Sequence, residues 1–226
     1  MQNFRRPNLY QLREIAVILT FIGGFIDAYT FIQRGGVLAA GQTGNIIFLS
    51  VDIANHNLPG VFTKISTIIG FSLGVATVPL LHKKLSFSHH WRLTTLLPGI
   101  LVCAIVGCLP LTIPNIFIVP VLAYSMAVQN VAFSEIEGHG YNNVFSTGNL
   151  KKAVLALSQS LINRKKSESK TAIIYFELVL GFACGAMVSA ILQKFFHVQT
   201  IWFAALLLTM VEIAYAWLLI YREHNK

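Results

Sequence analysis

Long apolar segments separated by short polar connections run through the whole chain. Six of them are long enough to cross a hydrocarbon core of about 30 Å as helices: Ile15–Ile32, Ile65–Leu81, Leu93–Ile113, Ile116–Phe133, Thr171–Leu192 and Thr200–Ile220. Backbone amides in lipid must be satisfied within the segment, so each is expected to be helical or shielded by protein. Two shorter helix-compatible runs, Ile46–Ala54 and Leu150–Leu161, interrupt the series after the first and fourth segments. Each begins directly after the same tripeptide, Thr43-Gly44-Asn45 and Thr147-Gly148-Asn149.

The flanks extend this recurrence into a repeat. Asp27 lies sixteen residues before Thr43, and Asn130 seventeen before Thr147. Downstream, Gly70-Phe71-Ser72-Leu73-Gly74 answers to Gly181-Phe182-Ala183-Cys184-Gly185, with about seven extra residues in the second half. Self-similarity at a long period marks a duplicated unit, here residues 13–113 and 114–221 of a single membrane domain. Three spans per unit is an odd number, so the second unit enters the membrane from the opposite side. The expected fold is therefore an all-α integral membrane protein of six transmembrane helices in two inverted three-helix repeats. Each repeat carries a short or re-entrant helix that starts at its TGN.

Composition agrees with a membrane class, since hydrophobic residues make up 55% of the 226 and charged ones only 12%, about half the usual soluble share. A net charge of +8 raises nucleic acid as a partner, but no basic patch lies outside the apolar segments in a fold that reads DNA or RNA. The basic residues sort by membrane side instead. With the N-terminus in the cytoplasm, fourteen of the 17 fall in inner regions, among them Arg5, Arg6, Arg13, Lys83, Lys84, Arg92 and the cluster from Lys151 to Lys170. Only Arg34, Lys64 and Lys194 fall outside, which places both termini in the cytoplasm. The basic stretch before Ile15 is expected to feed the first span, not to act as a cleaved leader. Cys103, Cys108 and Cys184 lie in apolar segments without metal-ligand spacing and are expected to be buried thiols. No metal, cofactor, hydrolytic or redox signature occurs, so an enzyme is not the expectation.

Asp27 is the sharpest chemical candidate, because an ionisable group within a span is costly and faces a bundle interior or a wet cavity. By repeat symmetry its partner is Asn130, with Gln129 beside it; if the two positions meet on a pseudo-two-fold axis they form one mixed site. Glu177 and Glu212 are secondary candidates in spans five and six, with Tyr215 placed to hydrogen-bond Glu212. Thr43 and Thr147 suit helix N-caps, and Gly44 and Gly148 allow close backbone approach. With Asn45 and Asn149, these helix starts either offer N–H groups to a solute or serve as turns that pack the halves together. The Gly70/Gly74 and Gly181/Gly185 pairs have the spacing of close helix contacts, through association of spans two and five or a homodimer.

At Gly24-Phe25-Ile26-Asp27-Ala28, Gly36-Val37-Leu38 and Thr43-Gly44-Asn45, with Met126-Ala127-Val128-Gln129-Asn130 and Phe145-Ser146-Thr147-Gly148-Asn149, the chain resembles the YoaK family of bacterial inner-membrane proteins, a domain of unknown function. The resemblance implies a six-span protein of the bacterial inner membrane and carries no activity. Val128 stands where members typically have Gly, and Phe133-Ser134 where a polar, often basic, residue follows. The functional expectation rests on architecture: a small secondary transporter or permease for an unknown solute or ion, proton- or cation-coupled through Asp27. Two alternatives stand beside it, a non-transporting scaffold or assembly factor and an intramembrane enzyme that modifies lipid.

Overall fold

The computed structural model describes residues 8–85 and 90–224. Arg5, Arg6 and Lys226, which contribute to the charge asymmetry, lie outside the described residues. Among the described residues eight α-helices follow in order: α1 Arg13–Gln33, α2 Gln42–Ala54, α3 Leu58–Leu85, α4 Leu93–Val106, α5 Asn115–Ala132, α6 Ser146–Asn163, α7 Lys166–Phe196 and α8 Ile201–His224. Four helical stretches are long and apolar enough to cross a membrane: α1, α3, α5 and the run Lys166–His224. That run has 59 residues, about 88 Å if straight, far more than a bilayer core. It folds back at a 3-10 turn, His197–Thr200, where His197 takes a positive φ of 45°. Most of α3 and of this run faces outward with apolar side chains such as Leu73, Leu80, Leu180, Met187 and Ile213, as a lipid environment requires.

Expected segment three, Leu93–Ile113, is helical only over the 14 residues of α4. Gly107 follows, and Pro110 has no N–H to give the Val106 carbonyl. That carbonyl instead accepts the Leu109 N–H. The two short runs start earlier than expected, at Gln42 and Ser146, with Gly41 and Phe145 as N-caps and no side-chain cap bond. Thr43 and Thr147 therefore lie inside the first helical turn and are not caps. Of the thiols, Cys103 is buried, but Cys108 and Cys184 are exposed on the protein surface, because an apolar segment whose outer face meets lipid buries only its inner face.

The principal packed pairs are α1 with α7, α3 with α5, α2 with α3, α6 with α7, α4 with both α5 and α8, and α1 with α8. The glycine pairs sit at close contacts between these helices, though not between spans two and five. A Cβ on Gly70 or Gly74 of α3 would collide with the Pro120 or Tyr124 carbonyl of α5. A Cβ on Gly185 of α7 would collide with the Phe21 carbonyl of α1, and one on Gly181 would stand 3.3 Å from the Val17 carbonyl. Of the two GFxxG helices, α3 thus packs on α5 and α7 on α1.

The connections differ in detail. Gly35 and Gly36, with φ of 82° and 66°, turn the chain out of α1. After α5 a two-stranded hairpin pairs Glu135 with Gly140 and Ile136 with His139. Positive φ at Glu137 (46°) and Gly138 (80°) gives its two-residue turn the twist that suits a hairpin. The core gathers Leu19, Ile22, Phe25, Ile26 and Tyr29 of α1 with residues of α4, α5 and α8, including Leu96, Leu122, Met126, Leu208 and Tyr215.

Candidate functional site

The polar residues singled out by the repeat lie on the helices that flank two loops, 34–41 and 133–145, each folded back against the helix that precedes it. In the first, Asp27 is only 5% exposed and its Oδ1 accepts the Ala40 N–H at 2.7 Å. Its Oδ2 faces Gly41, where a Cβ would stand 3.3 Å away. Thr30 adds a second tie, its Oγ1 accepting the Ala39 N–H at 3.1 Å. Asn45, fully buried, clamps the loop from the α2 side: Oδ1 accepts the Leu38 N–H at 2.9 Å and Nδ2 donates to the Leu38 carbonyl at 2.7 Å. Nδ2 also donates to Gln42 Oε1 at 3.0 Å.

The second loop uses the same chemistry. Asn130 Oδ1 accepts the Asn143 N–H at 3.2 Å. Asn149 Oδ1 accepts the Asn142 N–H at 3.3 Å, and its Nδ2 donates to the Asn142 carbonyl at 2.7 Å. Both clamps therefore span seven residues and bind both polar groups of one loop residue, as a paired strand would. Asn143, fully buried, donates Nδ2 to the Phe133 carbonyl at 2.8 Å and receives a long 3.5 Å contact from Gln129 Nε2. Asn142 turns the chain into α6 by accepting the Val144 and Phe145 N–H groups, the Asx pattern.

Asp27 and Asn130 do not form one mixed site. Each is spent on its own loop, and no hydrogen bond joins them among the described residues. Instead α1 receives both loops: loop 34–41 at Asp27, and the Asn143 and Val144 backbone against Gly23 one turn earlier, where a Cβ would collide with the Asn143 carbonyl. Thr43 and Thr147 are exposed, as is Gly148, while Gly44 is half-buried. Glu177 pairs with Arg13 of α1, both about a third exposed. Glu212 makes no hydrogen bond to Tyr215, whose ring instead meets Phe133 edge-on at 5.7 Å.

Two arginines matter more than their place in the sequence implies. Arg92 stacks on the Tyr10 ring at 3.5 Å and donates Nε to the Ala132 carbonyl at 3.0 Å, at the end of α5; burial pushes its guanidinium below the ordinary value. Arg34 is fully buried and donates Nη2 to the Val106 and Leu109 carbonyls at 3.3 and 3.2 Å, at the end of α4. A cation at a helix C-terminus meets orphan carbonyls and the negative end of the dipole. Lys64 and Asp52 form a mostly buried ion pair at 2.5 Å, and the hydrogen bond from Lys64 holds the Asp52 carboxyl below its ordinary value. Asn142, Asn143 and Arg34 were not singled out by sequence. The signal for Asn142 was its seven-residue offset from Asn149, which copies that of Leu38 from Asn45.

Among the described residues, no cluster of His, Cys, Asp or Glu has the grouping to hold a metal ion. The arrangement binds loop backbone with side-chain amides and one carboxylate, and it leaves the Asp27 carboxylate as the ionisable member.

A protein family described as a protein of unknown function, DUF1275, matches residues 15–214. A curated relative, the UPF0700 transmembrane protein YoaK of Bacillus subtilis (strain 168), is 23% identical over 199 residues, covering 82% of this chain and 85% of that protein. No solved structure gives a significant match. With apolar helices of spanning length and a transmembrane relative, the chain is a membrane protein in contact with the lipid bilayer. The family spans nearly all of the chain's helical core, and the chain belongs to DUF1275, the family of the YoaK membrane proteins.

Proposed function

We propose that this chain is a small secondary transporter of the bacterial inner membrane. It crosses the bilayer six times through α1, α3, α4, α5, α7 and α8, with both termini in the cytoplasm and α2 and α6 as re-entrant helices. The observation that carries the reading is the doubled loop. Asp27 with Asn45, and Asn130 with Asn149, hold their loops by the same hydrogen bonds at the same sequence separations. When the helices of one half are exchanged for those of the other, α1·α7 becomes α5·α3, α2·α3 becomes α6·α7, α4·α5 becomes α8·α1, and α4·α8 stays itself. Interlocked inverted halves are the architecture in which a site alternates between two sides.

The two latches differ in one respect that function can use. Asn130 shows that a neutral amide serves the loop, so the carboxylate at Asp27 is more than loop-holding needs. A charge within a span is costly unless it is used, and coupling to a proton or cation is the use that fits a transporter. The test is flux in proteoliposomes loaded with a pH-sensitive dye, across a panel of anionic, cationic and neutral solutes, for wild type and Asp27→Asn. Solute-driven proton movement lost in a folded Asp27→Asn protein supports the reading. Proton movement unchanged in that variant removes Asp27 from coupling. No flux with any solute, together with a lower melting temperature for Asp27→Asn, favours the scaffold.

A further inference from the structure

The transporter reading leaves the solute unnamed, and a second site supplies its class. A cavity of about 490 Å³ lies between the end of α1, the start of α3 and the start of α5, lined by Arg34, Asn57, Phe62, Thr63, Asn115 and Ile116 among others. None of its lining residues is acidic. Arg34 uses only Nη2 on the α4 carbonyls; among the described residues Nε and Nη1, carrying three N–H bonds, make no hydrogen bond although the residue is fully buried. The Tyr29 hydroxyl lies beside the guanidinium as a neutral polar neighbour, without meeting hydrogen-bond geometry.

Buried charges are tolerated when paired, and unpaired donors are rare in native interiors. Capping α4 accounts for one of the three nitrogens and leaves the charge itself unneutralised. Asp52, an acidic side chain beside the lining residues Gly60 and Asn57, is already held by Lys64 and by Asn57 Nδ2 at 3.0 Å. Helix α5 begins at the cavity with Pro114 as N-cap and no side-chain cap bond, so its first amides and the positive end of its dipole favour the same sign of ligand. Phe62, Ile116 and the prolines Pro59 and Pro114 give the lining an apolar side, while Asn57, Thr63 and Asn115 add neutral polar groups. In the second half, the position 103 residues on is an exposed Glu137, so the site belongs to the first half only.

We propose that the Arg34 cavity binds a small organic carboxylate, its carboxyl on the guanidinium and the α5 amides and its short apolar body against Phe62 and Ile116. This names the solute class of the transporter and rests on that reading for its role, while binding itself is measured without flux. The full chain, purified in nanodiscs of zwitterionic lipid, is melted at constant ionic strength with sodium butyrate, with butyramide and with inorganic phosphate. Butyrate is expected to raise the melting temperature saturably, and butyramide, its neutral counterpart, to leave it unchanged. Arg34→Gln should weaken the apparent butyrate affinity about tenfold or more, the loss of one charge-assisted contact. Because Arg34→Gln also removes the α4 cap, Ile116→Trp, which fills the cavity and leaves Arg34 in place, should abolish the shift as well.

Equal shifts with butyrate and butyramide, or a butyrate shift retained in Ile116→Trp, would overturn the assignment. A shift with phosphate alone overturns the carboxylate class. A butyrate shift that disappears in discs of anionic lipid assigns the cavity to a lipid headgroup instead and likewise overturns it. Butyrate binding without any flux leaves the site standing and removes the transporter, whereas proton-coupled flux of other solutes without carboxylate binding does the reverse.

Discussion

Replacing Asn45 with Ala tests whether the TGN asparagines are latches. The substitution removes two hydrogen bonds to Leu38, at 2.9 and 2.7 Å, and one to Gln42 at 3.0 Å. The methyl group of Ala reaches none of these partners, so the Leu38 N–H and C=O are left unpaired in a part-buried loop. Each stranded group costs about 1–3 kcal/mol, and the loop lies partly out of water, so the expected loss is about 2–5 kcal/mol. For a chain of this size about 1 kcal/mol corresponds to roughly 2–4 °C in melting temperature, which places the shift at about 4–20 °C. Asn149→Ala should fall in the lower part of that range, since it loses the two Asn142 contacts and has no third. The assay is thermal unfolding in detergent, with Thr43→Ala as the control, because Thr43 is exposed and next to the latch. If Asn45→Ala melts within about a degree of Thr43→Ala, the side chain contributes little and the latch reasoning fails.

Glycine substitutions separate packing from flexibility: Gly185→Ala, whose Cβ meets the Phe21 carbonyl, should destabilise by about 2 kcal/mol or more in the same melt. Gly148→Ala, which meets nothing within 4 Å, should be neutral or stabilising by about 1 kcal/mol through helix propensity. The Asp52–Lys64 pair predicts an acid dependence. Because the Asp52 carboxyl is lowered in the folded chain, its contribution is complete above the unfolded value near 4 and is lost as pH falls through the folded one. Melting temperatures measured from pH 6 downward should therefore drop less below about pH 4 in Lys64→Met than in wild type.

How far the molecule was legible varies by residue. Five of the six apolar segments matched helices within a few residues or were longer than expected, because hydropathy over a span is a summed signal. The third failed at Gly107 and Pro110, a local backbone effect that apolar length hides. TGN marked the right places, but the residue that does the binding is its Asn. That role depends on a loop partner seven residues back, which propensity at a helix start does not report. Thr looked like a cap only because the helix was expected to begin at it. The GFxxG pairs announced close contact without announcing their partner, since pairing across halves is a property of the assembled bundle. Arg34 counted merely as a boundary charge until α4 ended early and its carbonyls came within reach.

The central claim is that the two loops face opposite sides of the membrane, and labelling measures it most directly. Asn45 and Asn149 are buried and hold the loops, so the reporters belong at exposed neighbours: single cysteines at Asn55, between α2 and α3, and Lys165, between α6 and α7. In a background lacking Cys103, Cys108 and Cys184, a membrane-impermeant thiol reagent is applied to intact cells and to inverted vesicles. The account predicts that Asn55→Cys reacts only in intact cells and Lys165→Cys only in inverted vesicles. Reaction of both in the same preparation would contradict it and remove alternating access with the inverted repeat.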